Sequence, residues 1–246
     1  MIDFGKTAAD YARYRPAFSP RLFDRLGDFG IGTSGQMILD VGAGTGLLGS
    51  RFCELGARVT SLDVRLELIQ QASHRRIAGR AEAIPFADGS FDVVSAAQCW
   101  HWFDRTLAPL EIHRVLRRAG EVAVIYQTYV PLPGTAAEAT EQLMLQHRRG
   151  WRHANSTGVN GQVLRDLQIS GFEAIESFSF DVTIRFTRGS WRGFIRTTSA
   201  VGASMSGERL ARFEAEHESL LQRFPHELDI PHRVFAVVAR KSEARV

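Results

Sequence analysis

The first regular feature along the chain is a short apolar run, Met37 to Val41, that breaks into Gly42-Ala43-Gly44-Thr45-Gly46. Apolar runs then alternate with amphipathic stretches as far as Gln127. A brief apolar run closed by glycine predicts a buried strand over Met37–Val41, and the spacing from Leu47 to Leu55 predicts a helix that Gly56 stops. Arg58–Leu62 predicts a second strand, Leu66–Ser73 a helix and Arg76–Ala78 a short third strand. Asp88-Gly89-Ser90 is a turn before a fourth strand, Phe91–Ala96. Leu107–Leu116 follows as an amphipathic helix with Gly120 as its stop, then Glu121–Gln127 as a fifth strand. Strands separated by helices of this size predict a doubly wound α/β fold, a mainly parallel sheet with helices on both faces.

Beyond Pro131 and Pro133 the regularity changes. Helices are predicted over Ala136–Arg149 and Gln162–Ser170, the second stopped by Gly171. Phe178, Phe180, Val182, Ile184 and Phe186 alternate with polar residues, the period of two that marks a half-buried strand. Trp191–Ala200 and Glu208–Phe224 read as helices and Val234–Ala239 as a last strand, so a helical cap is expected between the last two strands of one sheet. No repeat or low-complexity linker divides the chain, and a single domain over residues 1–246 is expected.

Composition narrows the classes. Hydrophobic residues at 44%, charged residues at 23% and a mean hydropathy of -0.13 are those of an ordinary folded protein, which excludes disordered and fibrous classes. No apolar run is long enough to span a bilayer, and Asp3, Lys6, Asp10, Arg13 and Arg15 interrupt the opening where a secretion signal needs apolar residues. A cytoplasmic protein off the membrane is expected. Cys53 and Cys99 have no spacing that suggests a disulfide framework or a metal site. The net charge of +3 is almost wholly arginine, since Lys6 and Lys241 are the sole lysines. These arginines are dispersed, so charge gives no support for a nucleic-acid partner.

The glycine turn carries the chemistry. Without a Cβ, glycine adopts positive φ and lets a ligand lie against the backbone, with N–H groups of the following helix turned toward it. Gly44, Gly46 and Gly49 also satisfy the bare spacing of a dinucleotide-binding turn, which keeps a nicotinamide-dependent oxidoreductase as an alternative. Asp40, inside the strand before the turn, is an unwelcome neighbour for a pyrophosphate and a welcome one for a cation. Asp63, at the end of the second strand, can accept both hydroxyl hydrogens of a ribose. Two acids around a glycine turn suit a positively charged nucleoside.

With Ala81-Glu82-Ala83-Ile84-Pro85-Phe86 and Asp88-Gly89-Ser90-Phe91-Asp92-Val93-Val94, this order of motifs resembles the class I S-adenosylmethionine-dependent methyltransferases. The resemblance implies a seven-stranded mixed sheet with an antiparallel last strand. It also implies S-adenosyl-L-methionine as cofactor, leaving as S-adenosyl-L-homocysteine. Asp40, Gly42, Ala43, Gly44, Asp63, Val64, Ala81, Glu82 and Gln98 would be its cofactor contacts. Members often carry Asp where this chain has Arg80, so the adenine amine would rely on backbone groups and Glu82. Tyr11 to Pro20 and Gln98 to Asp104 are similar to the small-molecule methyltransferases around trans-aconitate methyltransferase. That likeness makes residues 1–35 a lid, with Tyr14 and Arg15 at the methionyl end, residues 36–128 the cofactor half and residues 129–246 the substrate half.

Methyl transfer needs alignment and exclusion of water more than proton chemistry. A carboxylate acceptor needs no base, whereas a hydroxyl or nitrogen acceptor can need one, and His101 is the candidate catalytic base. Tyr11, Trp100, Trp102, Trp151, Trp191 and Arg196 are the candidate substrate contacts. The segment His147 to His153, and Arg192 with Phe194, are further candidates for an anion pocket. The expected activity is methylation of O or N of a small metabolite by a monomer or homodimer. A cofactor-binding relative without activity is the other alternative.

Overall fold

The computed structural model describes residues 8–151, 154–202 and 204–242, so Arg152, His153 and residues 1–7 of the expected lid lie outside the described residues. Seven strands form one sheet in the order β3-β2-β1-β4-β5-β7-β6. They are β1 (Met37–Val41), β2 (Arg58–Asp63), β3 (Arg75–Ala78), β4 (Phe91–Ala97), β5 (Leu116–Tyr129), β6 (Phe172–Thr187) and β7 (Glu227–Lys241). The first five pair in parallel. Lys241 Nζ donates to the Leu116 carbonyl at the start of β5, and Val130 N donates to Pro231 O beyond its end, so β7 runs against β5. The sheet is therefore mixed, with the antiparallel last strand that the resemblance implies.

Nine helices are described: α1 (Ala8–Tyr14), α2 (Pro20–Asp28), α3 (Leu47–Glu54), α4 (Leu66–Ile69), α5 (Leu107–Val115), α6 (Ala136–His147), α7 (Gln162–Ile169), α8 (Arg188–Arg196) and α9 (Gly207–Leu221). No helix among the described residues is long and apolar enough to cross a membrane. Several elements depart from the expected bounds: β6 and β7 begin at Phe172 and Glu227, before the expected Phe178 and Val234, and α8 spans Arg188–Arg196 where Trp191–Ala200 was expected. Helix α2 has Pro20 in its first turn and buries Leu22, Phe23 and Leu26, a one-sided face that the sequence reading passed over. Helix α4 closes at Ile69 because Gln70 and Gln71 give the next turn no apolar face, although Ala72 is buried. Strand β5 begins at Leu116, before Gly120. The pairing jumps from Phe91↔Leu116 to Val93↔Glu121, and Ala119 takes a φ of 56° in the residues looped out between.

The chain divides into two compact units, and β5, β6 and β7 contribute to both. The second unit, Ala17–Gln127, Val159–Phe180 and Val234–Val246, holds the parallel strands around a core of Leu39, Val41, Leu62, Val94, Ile112, Val124 and Val237. Its parallel strands are apolar on both faces because helices cover both.

The first unit comprises Met1–Pro16, Thr128–Gly158 and Asp181–Arg233. Its core is aromatic, with Tyr129, Phe186, Trp191, Phe194 and Phe213 buried together. Here α1 packs on α8 through Tyr14 and Gly193. A Cβ on Gly193 would stand 2.4 Å from Cδ2 of Tyr14 and 2.5 Å from its Cγ, so the ring lies directly on the backbone. Arg196 Nε reaches Asp10 Oδ2 at 2.7 Å beside this contact. Gly193→Ala is expected to cost about 1–3 kcal/mol through overpacking. Thermal melting should fall by several degrees, while Gly27→Ala, in helix α2 with nothing within 4 Å of the added Cβ, should lose less.

Candidate functional site

The ends of β1, β2 and β4 bring the two acids and the glycine turn together in the second unit. Register places Ser95 beside Asp40, and Ser95 Oγ donates to Asp40 Oδ1 at 2.8 Å. Asp40 is buried and its Oδ2 has no hydrogen-bond partner. Burial pushes its carboxyl up to about 7, against the hydrogen bond from Ser95. Asp63, also buried, holds the turn: Gly44 N donates to its Oδ2 at 2.8 Å and Arg65 N to its Oδ1 at 2.9 Å. Each of these oxygens retains a second lone pair.

The turn needs glycine at its first position for two reasons. Gly42 has a φ of 66°, and a Cβ there would stand 2.8 Å from both Cβ and Sγ of Cys99 and 3.1 Å from Phe103. Cys99 in turn donates from Sγ to the Val41 carbonyl at 3.2 Å. Burial raises its thiol well above the usual range, with the charges of Asp40 and Asp63 adding. Cys99 is therefore a neutral packing group that shapes the turn.

Four backbone donors of the turn are spent inside the protein. Gly42 N and Ala43 N both donate to Leu62 O, at 2.8 and 3.1 Å, Gly44 N to Asp63, and Gly46 N to Ala43 O at 2.9 Å. These four lie in the turn itself, ahead of the helix over Leu47–Glu54 whose N–H groups the sequence reading expected to face a ligand. A dinucleotide turn offers such groups to a pyrophosphate. Here two carboxylates beside the turn disfavour a polyanion and favour a cation.

Among the other expected cofactor contacts, Val64 is exposed and Ala81 buried. Glu82 accepts from Asp104 N through Oε1 at 2.9 Å and meets Arg80 at 3.3 Å, so the departure at position 80 supplies an ion pair to the neighbouring acid. Gln98 takes a φ of 61°, with its backbone N on Ile125 O and its side-chain amide on Gln127 O. Gln127 was missed by sequence reasoning. Its Oε1 accepts from Ser19 N and its Nε2 donates to Ala17 O, both at 2.9 Å, so the end of β5 anchors the segment before α2.

After β4, a single 3-10 turn spans Trp100–Trp102. Trp100 is buried, with its indole N–H on the buried Asp166 at 3.0 Å. His101 and Trp102 are exposed with ring centres 4.6 Å apart, and the His101 ring lies 6.2 Å from that of Tyr126. Tyr126 OH accepts from Asn160 Nδ2 at 2.9 Å.

The remaining candidates, Tyr11, Tyr14, Arg15, Trp151, Trp191 and Arg196, belong to the first unit. Trp191 is fully buried and donates to Thr140 Oγ1 at 2.9 Å. Arg196 is committed to Asp10 and, at 3.7 Å, to Glu214. Trp151 packs half-buried against the aromatic core. Arg15 donates through Nη2 to Thr197 O at 3.1 Å and lies 4.7 Å from the centre of the Tyr11 ring.

Residues 39–124 match the methyltransferase domain family. Among curated proteins the chain is similar to an uncharacterized methyltransferase of Mycobacterium bovis, 36% identical over 132 residues, which are 52% of this chain and 53% of that protein. The chain thus spans about half the length of the curated relatives it matches. Its fold is similar to a solved structure from Anaeromyxobacter dehalogenans with a TM-score of 0.66, 22% identity and coverage of 93% and 98% of the two chains. A phosphoethanolamine N-methyltransferase of Haemonchus contortus, solved with phosphomonomethylethanolamine and S-adenosylhomocysteine, gives a TM-score of 0.57 at 19% identity, over 99% of this chain and 61% of that one.

Proposed function

We propose that the chain transfers a methyl group from S-adenosylmethionine to an oxygen or nitrogen of a small molecule. The observation that carries the reading is the pair Asp40 and Asp63 around a turn four of whose backbone donors are already committed. Two buried oxygens without partners, Asp40 Oδ2 and Thr45 Oγ1, leave polar capacity at this turn, which fits a cationic nucleoside. Asp63 would hold the ribose hydroxyls, Gly42, Ala43 and Gly44 would lie against the nucleoside, and Val64, Ala81, Glu82 and Gln98 would border it. The bound cofactor supplies an electrophilic methyl carbon. The protein's share is to align the acceptor with it and keep water out. His101, exposed on the turn after β4, is the proposed base for a hydroxyl or nitrogen acceptor. Trp102, exposed beside His101, is the proposed acceptor-facing aromatic of the second unit. Trp100, Trp191 and Arg196 act through the packing and pairing described above.

The test is mass-spectrometric detection of labelled methyl transfer from S-adenosylmethionine into a metabolite extract. Labelled small-molecule products support the reading, and their absence from a folded, cofactor-binding sample contradicts it.

A pH dependence follows from Asp40. Its carboxyl is raised from 3.8 in the unfolded chain to about 7 in the fold, so the folded state holds the extra proton. The free protein therefore loses stability as pH rises from about 4 to about 7, and the loss levels off above that. A bound cation favours the ionised carboxylate. Affinity for S-adenosylmethionine should accordingly rise by up to about tenfold per pH unit below 7 and then flatten. Calorimetry with wild type and Asp40→Asn checks this, and an unchanged pH slope in the variant would contradict it.

A further inference from the structure

Gly44, Gly46 and Gly49 carry the spacing of a dinucleotide turn, and the third of them has a different reason to be glycine from its neighbours. Gly42, Gly44 and Gly46 take φ of 66°, 56° and 79°, so backbone conformation alone calls for glycine there. Gly49 lies inside α3 and outside the left-handed region, where glycine destabilises a helix relative to alanine. Space explains it. A Cβ on Gly49 would stand 2.6 Å from Nε2 and 2.9 Å from Cε1 of His74, and 3.1 Å from Ser61 Oγ. The same ring borders the turn itself, since a Cβ on Gly46 would meet His74 Cε1 at 3.1 Å and Ala72 Cβ at 2.7 Å.

The half-buried His74 is itself fixed. Its Nε2 lies 2.7 Å from Oγ of the buried Ser61, which is beside Asp40 in register and lies on β2 ahead of Asp63. Nδ1 is buried with no hydrogen-bond partner. Burial lowers the pKa of the ring and the charge of Arg76 lowers it further, so the ring is neutral at neutral pH. An orphaned nitrogen and a glycine inside a helix are both unfavourable, and both occur at one contact. Local rules broken together in this way mark a functional position. Asp63 holds the turn at Gly44 N, and His74 is the wall against which Gly46 and the first turn of α3 rest.

We propose that His74, braced by Ser61, is a positioning residue for the glycine turn: it fixes where α3 begins and thereby the surface that the turn offers to the adenosyl cofactor. It acts through the turn and not on the reacting atoms. The inference rests on the reading of this turn as the cofactor site.

Calorimetric titration with S-adenosylhomocysteine and thermal melting of wild type, Gly49→Ala, His74→Ala and the double variant test it. Gly49→Ala is expected to lower both melting temperature and affinity, because the new Cβ drives the ring off the turn. Adding His74→Ala removes the clash. The melting temperature is then expected to recover while affinity stays at least about tenfold below wild type, as in His74→Ala alone. Affinity that recovers together with the melting temperature, or that His74→Ala leaves within about twofold of wild type, overturns the proposal and makes His74 a packing group. Should the alanine variants not fold, wild type carrying nitrogen-15 histidine decides, with His74 assigned against His74→Gln. S-adenosylhomocysteine is expected to move the His74 ring resonances, and resonances that stay in place while the ligand binds overturn the proposal. Wild type that binds no S-adenosylhomocysteine removes the cofactor reading and this inference with it, whereas binding to which His74 is indifferent removes this inference alone.

Discussion

Asp63→Asn is expected to weaken S-adenosylhomocysteine binding by roughly 10- to 100-fold, the range for losing charge-assisted hydrogen bonds worth about 1.5–3 kcal/mol. The substitution acts twice. The carboxylate that would receive the ribose hydroxyls also receives Gly44 N and Arg65 N, one on each oxygen. An asparagine has one accepting oxygen, so one of those backbone donors loses its partner, and the turn loosens along with the loss of charge. Isothermal titration of wild type and variant measures the first effect. Circular dichroism, which should show the sheet retained, separates it from unfolding. Equal affinity in the two proteins would remove Asp63 from the site.

Gly42→Ala should be strongly damaging to the turn. Left-handed backbone costs a residue with a Cβ about 1–2 kcal/mol, and the clash with Cys99 and Phe103 adds about 1–3 kcal/mol of overpacking. At roughly 2–4 °C per kcal/mol for a chain of this size, thermal melting should fall by about 5–15 °C. Gly134→Ala is the comparison, because Gly134 has a φ of 78° but an added Cβ meets nothing within 4 Å. It isolates the backbone contribution. Equal losses in the two variants would show that the contact with Cys99 does not constrain the turn.

Local chemistry made much of this molecule legible in the sequence. The apolar runs of β1, β2 and β4, the glycine turn and the acids at positions 40 and 63 carry their meaning within a few residues of chain. The partners that set those groups are far away in sequence and left no local trace. Ser95 reaches Asp40 across 55 residues, Gln127 ties down Ala17 and Ser19, and Asp166 holds Trp100 in the core. Helix α2 was legible in principle, since Ser19-Pro20 followed by Leu22, Phe23 and Leu26 is a start signal with an apolar face. The loop-out in β5 was hidden because the positive φ falls on Ala119 and the visible glycine is its neighbour, Gly120. The tryptophans show the same limit from another side. Trp100, Trp102, Trp151 and Trp191 look alike as candidate substrate contacts, and burial alone separates the exposed Trp102 and half-buried Trp151 from the two that hold cores together.

The central claim is that two acids around a glycine turn select a cationic adenosyl nucleoside over a dinucleotide. Competitive calorimetry of the folded protein with S-adenosylmethionine and with NADH measures that choice directly. The account predicts saturable, one-to-one binding of S-adenosylmethionine, displaced by S-adenosylhomocysteine, and no heat from NADH. Saturable NADH binding with no response to either sulfur compound would contradict it.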